Sequence, residues 1–365
     1  MLKKKTVAVA MSGGVDSSLA AVLLKQQGFE VFGLTMKLWN YDEVGLSKRS
    51  ETRCCSVELI NTARAICDKF DIPHHVIDFA ETFKNQVISD FVSEYKSGRT
   101  PNPCVVCNSR IKWGPLMEKA ASMGAEFLAT GHYARIEFNS RYNRYALRKG
   151  LDQKRDQSYF LWGLTQEALK RTIFPLGQIT KRRTRELAAQ LGLKNAEAEE
   201  SREICFIPDD DYRRFMVEVA GGKDEPGDFV DDTGKVIGKH EGISMYTVGQ
   251  RKGLNIAVGY PVYVKSIDVD SNVIQLGREE DLMVKSFIVE KVNWVTVPRP
   301  SAPMDCDVKI RYMSRPLAAI VNAITPDTCS VNLYEPAKAV SPGQSAVFYN
   351  QEFVNAGGII SRVKA

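Results

Sequence analysis

The sequence predicts an α/β protein: a Rossmann-like parallel-sheet domain, then a small mixed or mainly β central domain, then a C-terminal β-barrel-like domain. Three observations predict it. Short apolar runs alternate with segments of helical periodicity through the first part of the chain. A Ser-Gly-Gly turn joins the first apolar run to the first helical segment. From about Gly227 the chain breaks into short β-type runs separated by Gly, Pro, Asn and Asp. At 365 residues it exceeds an ordinary single domain, and the shifts in composition divide it at 1–210, 211–285 and 286–365. Part of 166–210 is open to assignment to the middle domain.

The elements follow in order. Residues 6–11 (TVAVAM) form an apolar strand ending at Ser12-Gly13-Gly14. Residues 17–27 carry Leu19, Val22, Leu23 and Leu24 at helical spacing and stop at Gly28. Residues 30–36 read as a strand, 57–70 as a helix, 73–79 as a strand and 81–95 as a helix. Residues 111–123 read as a helix closed by Gly124, and 126–130 as a strand running into Gly131-His132-Tyr133. Such alternation gives a parallel sheet with helices on both faces. Residues 137–147 read as a hairpin and 166–220 as mostly helical and charged. Runs at 260–267, 272–276, 307–311 and 346–349 suit small β domains.

Bulk properties narrow the class. Hydrophobic residues at 44% and charged residues at 25% are the balance of a folded, water-exposed protein. The basic start (Lys3-Lys4-Lys5) is followed by only six apolar-leaning residues before Ser12, too few for a signal-peptide core. No stretch approaches a membrane span, so a cytoplasmic protein with no membrane partner is expected. Eight cysteines are too sparse for a secreted disulfide scaffold, so clustered cysteines point first to catalysis or metal. A net charge of +5 is too small to imply nucleic acid by itself, and the distribution of charge is the better guide.

The strongest motif is Ser12-Gly13-Gly14-Val15-Asp16-Ser17-Ser18, between a strand and a helix. Two glycines let the backbone turn tightly and approach a ligand. The helix N-terminus that follows offers N–H groups and a positive dipole end to phosphate, and Ser12, Ser17 and Ser18 add hydroxyl donors. Asp16 repels phosphate, which leaves it helix capping or Mg2+ binding. The loop lacks the Gly-Lys-Ser/Thr ending of a Walker A motif and the Gly-x-Gly-x-x-Gly spacing of a dinucleotide fingerprint. The bland alternative is a turn that uses Gly and Ser only to turn.

The second informative stretch is Thr100-Pro101-Asn102-Pro103-Cys104-Val105-Val106-Cys107-Asn108, whose prolines stiffen the approach to a C-x-x-C pair. Such a pair near a helix start favours thiolate. Cys205 stands in Glu200-Ser201-Arg202-Glu203-Ile204-Cys205-Phe206-Ile207, and taken alone it reads as core. Cys67 reads as core, Cys306 and Cys329 as structural, and Cys54-Cys55 as a loop pair whose adjacency prevents shared chelation of one metal.

SGGVDSS resembles the pyrophosphate loop of the ATP pyrophosphatases. Together with TPNPCVVCN, SREICFI, Gly131-His132-Tyr133-Ala134-Arg135, the Asp156–Leu161 block DQSYFL and the Tyr246–Leu254 block YTVGQRKGL, it makes the chain similar to the tRNA-specific 2-thiouridylases from residue 12 to beyond 250. The resemblance implies ATP bound at Ala10, Met11, Ser12, Gly13, Gly14, Val15, Asp16 and Ser17, with Met36 and Gly131 adding contacts, and Mg2+ accompanying it. It implies adenylation of the C2 oxygen of a wobble uridine, a persulfide on Cys205 and Cys107 as its thiol partner. It places tRNA at Asn102, Pro103 and Cys104 around the target base, and at His132, Arg155, Asp156, Gln157, Arg311, Tyr312 and Gln344. It implies a cysteine desulfurase or sulfur-relay protein as donor. The chemistry is coherent, because a uracil oxygen leaves only when activated and a persulfide attacks at neutral pH.

One position departs from the pattern. Many family members carry Asp where Cys104 stands, which weakens a general-base role there. It opens a second reading, in which Cys104, Cys107 and Cys205 hold three irons of a [4Fe–4S] cluster. Zinc is less well supported, since a structural site wants four ligands and no second C-x-x-C is present.

Basic residues interleaved with tyrosines fall at Arg141, Tyr142, Arg144, Tyr145, Arg148, Lys149, Lys154 and Arg155, at Lys181, Arg182, Arg183 and Arg185, and at Arg251-Lys252. They suit RNA phosphates and splayed bases, or else form a solvated face. His132 is either an RNA contact or a buried, hydrogen-bonded histidine. Three rivals compete. A small-metabolite synthetase leaves the cysteines and the β-rich C-terminal part unexplained, an ATP-switched RNA-binding protein releases no AMP, and a redox sensor needs no phosphate loop.

Overall fold

Strand β1 (Thr6–Ala10) holds Val7, Ala8 and Val9 with no exposed surface, as expected of a central parallel strand covered on both faces. The computed structural model describes residues 4–39, 57–197, 204–207, 209–219, 221 and 224–364. Cys54, Cys55 and the 200–203 part of the Cys205 motif lie outside the described residues. The chain divides into two units. One comprises Met1–Val87, Cys104–Asp210 and Glu352–Val354, and the other Ile88–Pro103, Asp211–Gln351 and Asn355–Ala365.

In the first unit, β1 pairs in parallel with β2 (Glu30–Lys37) on one side and β4 (Phe127–Ala129) on the other. With β3 (His74–Asp78) and β7 (Thr172–Ile173) the sheet order is β3-β2-β1-β4-β7, parallel throughout. The helix Val15–Gln26 buries Val15, Leu19, Ala20 and Val22 in the core beside this sheet, and Val57–Lys69 buries Ala63, Ile66 and Cys67 in the same cluster. The chain builds outward from β1 to β3 and then returns to β4 on the opposite side. Such a reversal opens a crevice beyond the strand ends, where ligands of doubly wound sheets bind. The hairpin β5 (Ala134–Asn139) and β6 (Arg144–Lys149) turns at Asn143, in the left-handed region at φ 51°. Phe353 and Val354 pair against Arg148 and Leu147 of β6.

Two expectations need correction. Residues 111–123 are not one helix. Asn108–Leu116 is a π-type stretch in which Trp113 and Gly114 leave helical geometry, and Met117–Ser122 resumes. Pro115 excludes the preceding residue from the α region, which breaks the ladder there. Residues 166–220 are also less helical than predicted. Their described helices are Gln166–Lys170, Lys181–Gln190 and Tyr212–Glu218, and Thr172–Ile173 is instead the outer strand β7. Pro175 and Gly177 follow β7 and interrupt any helix.

In the second unit, β8 (Gly227–Val230), β9 (Val236–His240), β10 (Tyr263–Asp268) and β11 (Val273–Gly277) form a sheet ordered β10-β11-β8-β9. Helices Ser89–Lys96 and Tyr212–Glu218 meet through Phe91 against Phe215 and Tyr95 stacked on Tyr212 at 4.8 Å. Strands β12 (Met283–Trp294), β13 (Met304–Lys309), β14 (Leu317–Thr325), β15 (Thr328–Lys338), β16 (Ser345–Asn350) and β17 (Phe353–Lys364) run in the order β12-β15-β14-β13-β16-β17. β17 pairs antiparallel with β12 from Ser286↔Lys364 to Trp294↔Ala356, which closes a six-stranded barrel. Closure removes free edges, and Phe287, Val331, Phe348 and Ile360 fill the interior. Among the described residues no helix is long and apolar enough to cross a membrane.

Burial holds one histidine of this unit in a single form. His240 Nε2–H donates to the Asn272 carbonyl at 3.2 Å, and its Nδ1 accepts from Gly242 N–H at 3.1 Å. Phe229 and Tyr246 flank the ring. Burial lowers its pKa, as it does for His74 and, more strongly, for His132. Folded pKa values below the unfolded value of about 6.5 mean that the unfolded chain binds more protons in that range. Stability is therefore full above about pH 6.5 and falls as the pH drops towards the folded values. An NMR titration is expected to show His132 and His240 protonating below about 6.5. Protonation at or above that value would contradict the burial argument.

Candidate active site

The predicted phosphate loop occupies the crevice where the strand order reverses. Residues 11–14 leave the end of β1 and enter the helix Val15–Gln26. Gly13 adopts φ +78°, and a Cβ there would collide with the Leu59 carbonyl. Gly131, just beyond β4, lies so close to the first helical turn that a Cβ would sit 2.7 Å from Ser17 N. Both strand ends therefore need glycine, and the loop leads directly into a helix N-terminus, whose N–H groups suit phosphate oxygens.

The serines divide their work. Ser12 is exposed, and its N–H donates to Ser17 Oγ at 3.1 Å. Ser17 and Ser18 are buried and donate to the Gly14 carbonyl at 3.2 and 2.9 Å. Both hydroxyls thus brace the loop's own backbone, and Ser12 is the exposed serine of the three. Asp16 does not cap the helix, because Gly14 occupies the N-cap position without a side-chain bond. Its carboxylate instead receives Lys181 Nζ on both oxygens, at 2.7 and 2.8 Å, and the Tyr133 hydroxyl at 2.8 Å. Tyr133 OH in turn lies 2.8 Å from Thr184 Oγ1. Both carboxylate oxygens are thus hydrogen-bonded within the protein.

Beside Gly131, His132 Nδ1 lies 2.7 Å from Thr130 Oγ1, and the ring contacts Trp113 and Phe174. Burial first and the Lys112 charge second push its pKa well below the usual range, so the imidazole is neutral at physiological pH. In the C-x-x-C segment, Pro103 opens the short helix Pro103–Cys107; Cys104 is exposed and Cys107 buried. Asn108 anchors the next turn by donating to the Phe160 carbonyl at 3.0 Å. Cys205 is half-buried, and its neighbour Phe206 packs edge-on against Phe83. Among the described residues no group of three or more His, Cys, Asp or Glu side chains is placed to hold a metal ion. Cys104, Cys107 and Cys205 thus do not form a ready cluster site.

The remaining predicted residues fall as follows. Ala10 ends β1, and Met11 and Val15 are buried under the loop. Met36 lies half-buried near the end of β2. Asp156 is buried and accepts from Gly150 N, Ser158 N and Ser158 Oγ, so it shapes its own loop. Gln157 Oε1 accepts from Tyr133 N at 3.0 Å, and Arg155 is half-buried. In the hairpin, Arg148 pairs with Glu137 and Glu352, and Arg135 pairs with Glu352, which removes Arg148 from the solvated basic set. Arg141, Lys154, Arg182 and Arg183 are exposed.

In the second unit a cleft of about 700 Å³ is lined by Thr100, Tyr212, Arg213, Lys252, Arg311 and Gln344, among others. Arg311 donates to the Ala339 carbonyl and Ser341 Oγ, at 2.7 and 3.0 Å. Gln344 Nε2 donates to the Thr100 and Pro101 carbonyls, steadying the segment that leads to Asn102 and Pro103. Tyr312 packs beneath Lys309.

Family models match the chain in three consecutive pieces. Residues 5–209 match a "tRNA methyl transferase HUP domain", 214–278 a "tRNA methyl transferase PRC-barrel domain" and 284–360 an "Aminomethyltransferase beta-barrel domain". A tRNA-specific 2-thiouridylase of Heliobacterium modesticaldum is 45% identical over 98% of this chain and 93% of its own length. That of Salinibacter ruber is 46% identical over 100% of this chain and 96% of its own. The chain belongs to the tRNA-specific 2-thiouridylase family. A solved 4-thiouridine synthetase–RNA complex with bound ATP is similar over 56% of this chain and 45% of that chain, at 18% identity and a TM-score of 0.36, too remote to bear on function.

One residue of this site is not legible from the sequence, namely Lys181. In the run Lys181-Arg182-Arg183 it looked like a solvated cation, whereas its side chain is only 8% exposed and bound to Asp16. The available signal was its place just after Thr180, an N-cap that accepts from Arg183 N and fixes the first turn of its helix. Removing one partner of such a pair strands the other. Lys181→Met is expected to lower stability by about 2 kcal/mol, less than for a fully buried pair because Asp16 is partly exposed. A double-mutant cycle with Asp16→Asn should give a coupling of about 1 kcal/mol or more. Denaturation followed by tryptophan fluorescence checks it, since Trp39, Trp113 and Trp162 lie in this unit and Trp294 in the other. A coupling of zero would contradict the pairing.

Proposed function

We propose that this chain is a tRNA-uridine 2-sulfurtransferase. It adenylates the C2 oxygen of a wobble uridine with ATP and replaces that oxygen with persulfide sulfur from Cys205, yielding 2-thiouridine, AMP and pyrophosphate. The observation that carries the reading is the glycine turn that leads β1 into a helix N-terminus, with Gly131 packed against that helix's first turn, in a unit that also holds Cys107 and Cys205. ATP supplies the adenylyl group that turns the uracil oxygen into a leaving group. Gly13, Gly14 and the first turn after Val15 hold its phosphates by N–H groups, and Ser12 adds an exposed hydroxyl. Lys181 offsets the Asp16 carboxylate, which would otherwise repel them. Mg2+ is assigned to the incoming phosphates, since Asp16 is engaged.

In the sulfur step, the terminal persulfide sulfur attacks C2 and AMP leaves. The Cys107 thiolate then attacks Cys205 Sγ, the S–S bond breaks, and sulfur remains on the uridine. A Cys107–Cys205 disulfide is left for an external thiol to reduce. Alternatively Cys107 attacks first and frees sulfide to do the same displacement. Persulfide is replenished by a cysteine desulfurase or relay protein, and a reducing cytoplasmic setting is part of the proposal. Neutral His132 serves as a hydrogen-bonding contact to tRNA, with the exposed basic residues of the hairpin and of the helix Lys181–Gln190. Arg155, Arg311, Tyr312 and Asn102–Cys104 are assigned tRNA contacts on the family pattern, and Asp156, Gln157 and Gln344 shape the loops that carry them. The working partition is catalytic 1–210, central 211–285 and barrel 286–365. The family-model wording speaks of methyl transfer, but moving a methyl group onto a base calls for neither an activated oxygen nor a thiol pair.

The test is a thiolation assay under exclusion of oxygen, with unmodified tRNA, Mg-ATP and a sulfur source, read on a mercury-containing gel. Wild type is expected to give a retarded band that needs ATP. Cys107→Ala and Cys205→Ala should abolish the band, and Cys205→Ala should still release pyrophosphate, because adenylation uses no thiol. A retarded band from both variants would overturn the persulfide reading.

A further inference from the structure

We propose that Asn195 is a positioning residue for the nucleotide loop, pinning the Gly13–Gly14 peptide so that the Gly14 N–H faces the phosphate side. The inference rests on the ATP reading of that loop. Asn195 is buried at 7% exposure. Its Nδ2 donates to the Gly13 carbonyl at 2.7 Å and to Ser18 Oγ at 3.1 Å. Ser18 has one hydroxyl hydrogen, which it gives to the Gly14 carbonyl, so its oxygen is an acceptor towards Asn195. Both amide hydrogens of Asn195 are thus committed to the loop. The opposite orientation would set Oδ1 against the Gly13 carbonyl oxygen, acceptor to acceptor.

The other half of the side chain shows why the residue is there. Among the described residues, Asn195 Oδ1 is buried without a hydrogen-bond partner. An amide retained in a core despite an unsatisfied acceptor is retained for its donors. The loop needs them, because glycine at both 13 and 14 leaves the peptide between them free to rotate. In a planar trans peptide the C=O and N–H point in opposite directions. Drawing the Gly13 oxygen inward to Asn195 sends the Gly14 N–H outward, towards exposed Ser12, whose Oγ lies 3.5 Å from it. A flipped peptide would present a carbonyl oxygen to phosphate. The clamp therefore governs nucleotide affinity and leaves RNA affinity alone.

Asn195→Ala and the isosteric Asn195→Asp, which sets oxygen against the Gly13 carbonyl, are compared with wild type in pyrophosphate release with tRNA and Mg-ATP. The expected result is a KM for ATP raised about tenfold or more in both, with the KM for tRNA unchanged and the fold retained at a lowered melting temperature. An unchanged KM for ATP would overturn the proposal. So would a parallel fall in ATP and tRNA parameters, or loss of folding, since either marks a purely structural residue. Failure of wild type to bind ATP would sink the ATP reading itself, and this proposal with it.

Discussion

The nucleotide end of the first unit depends on the ion pair between Lys181 and Asp16. A carboxylate in the first turn after a phosphate loop is a liability, since it faces the anion the loop is built to hold. Lys181 meets both of its oxygens, and the Tyr133 hydroxyl meets one of them. Three parts of the chain converge there: the first helical turn after β1, the stretch beyond β4, and the start of the helix Lys181–Gln190. The close approach of Gly131 to Ser17 requires the same convergence. The pair thus neutralises the carboxylate and ties the three segments together.

Much of this architecture is legible in the amino-acid sequence. The alternation of apolar strands with helices points to the parallel sheet, because strands buried on both faces must be apolar throughout, as β1 is. Gly13 marks the turn, because only glycine tolerates such a backbone so close to another chain segment. The features that the sequence hides have non-local causes. Lys181 and Asp16 are 165 residues apart, and nothing in a Lys-Arg-Arg run distinguishes an inward lysine from outward arginines. Arg148 reads as available for RNA, yet it pairs with Glu352, 204 residues on. The π-type stretch at Asn108–Leu116 is hidden because its apolar spacing passes for an ordinary helix until Gly114-Pro115 interrupts it. Asp16 reads as a cap because Asp favours that position, but the cap falls two residues earlier, on Gly14.

The site's electrostatics suit sulfur chemistry that uses little acid–base catalysis. His132 is held neutral by its enclosure and bonds to Thr130. Once the uracil oxygen carries an adenylyl group it needs no further protonation to leave, and a persulfide attacks without a general base. In the proposed reaction the burden then falls on holding ATP and on the thiols Cys107 and Cys205.

The most direct test of the central claim follows the uridine oxygen. Unmodified tRNA labelled with 18O at the C2 position of the target uridine would be thiolated with Mg-ATP and a sulfur source, and the AMP analysed by mass spectrometry. Activation by adenylation requires the label to leave on the AMP phosphate, with one 18O atom per 2-thiouridine formed. Thiolated tRNA accompanied by unlabelled AMP would contradict the account, because the oxygen would then have departed without passing through an adenylated uridine.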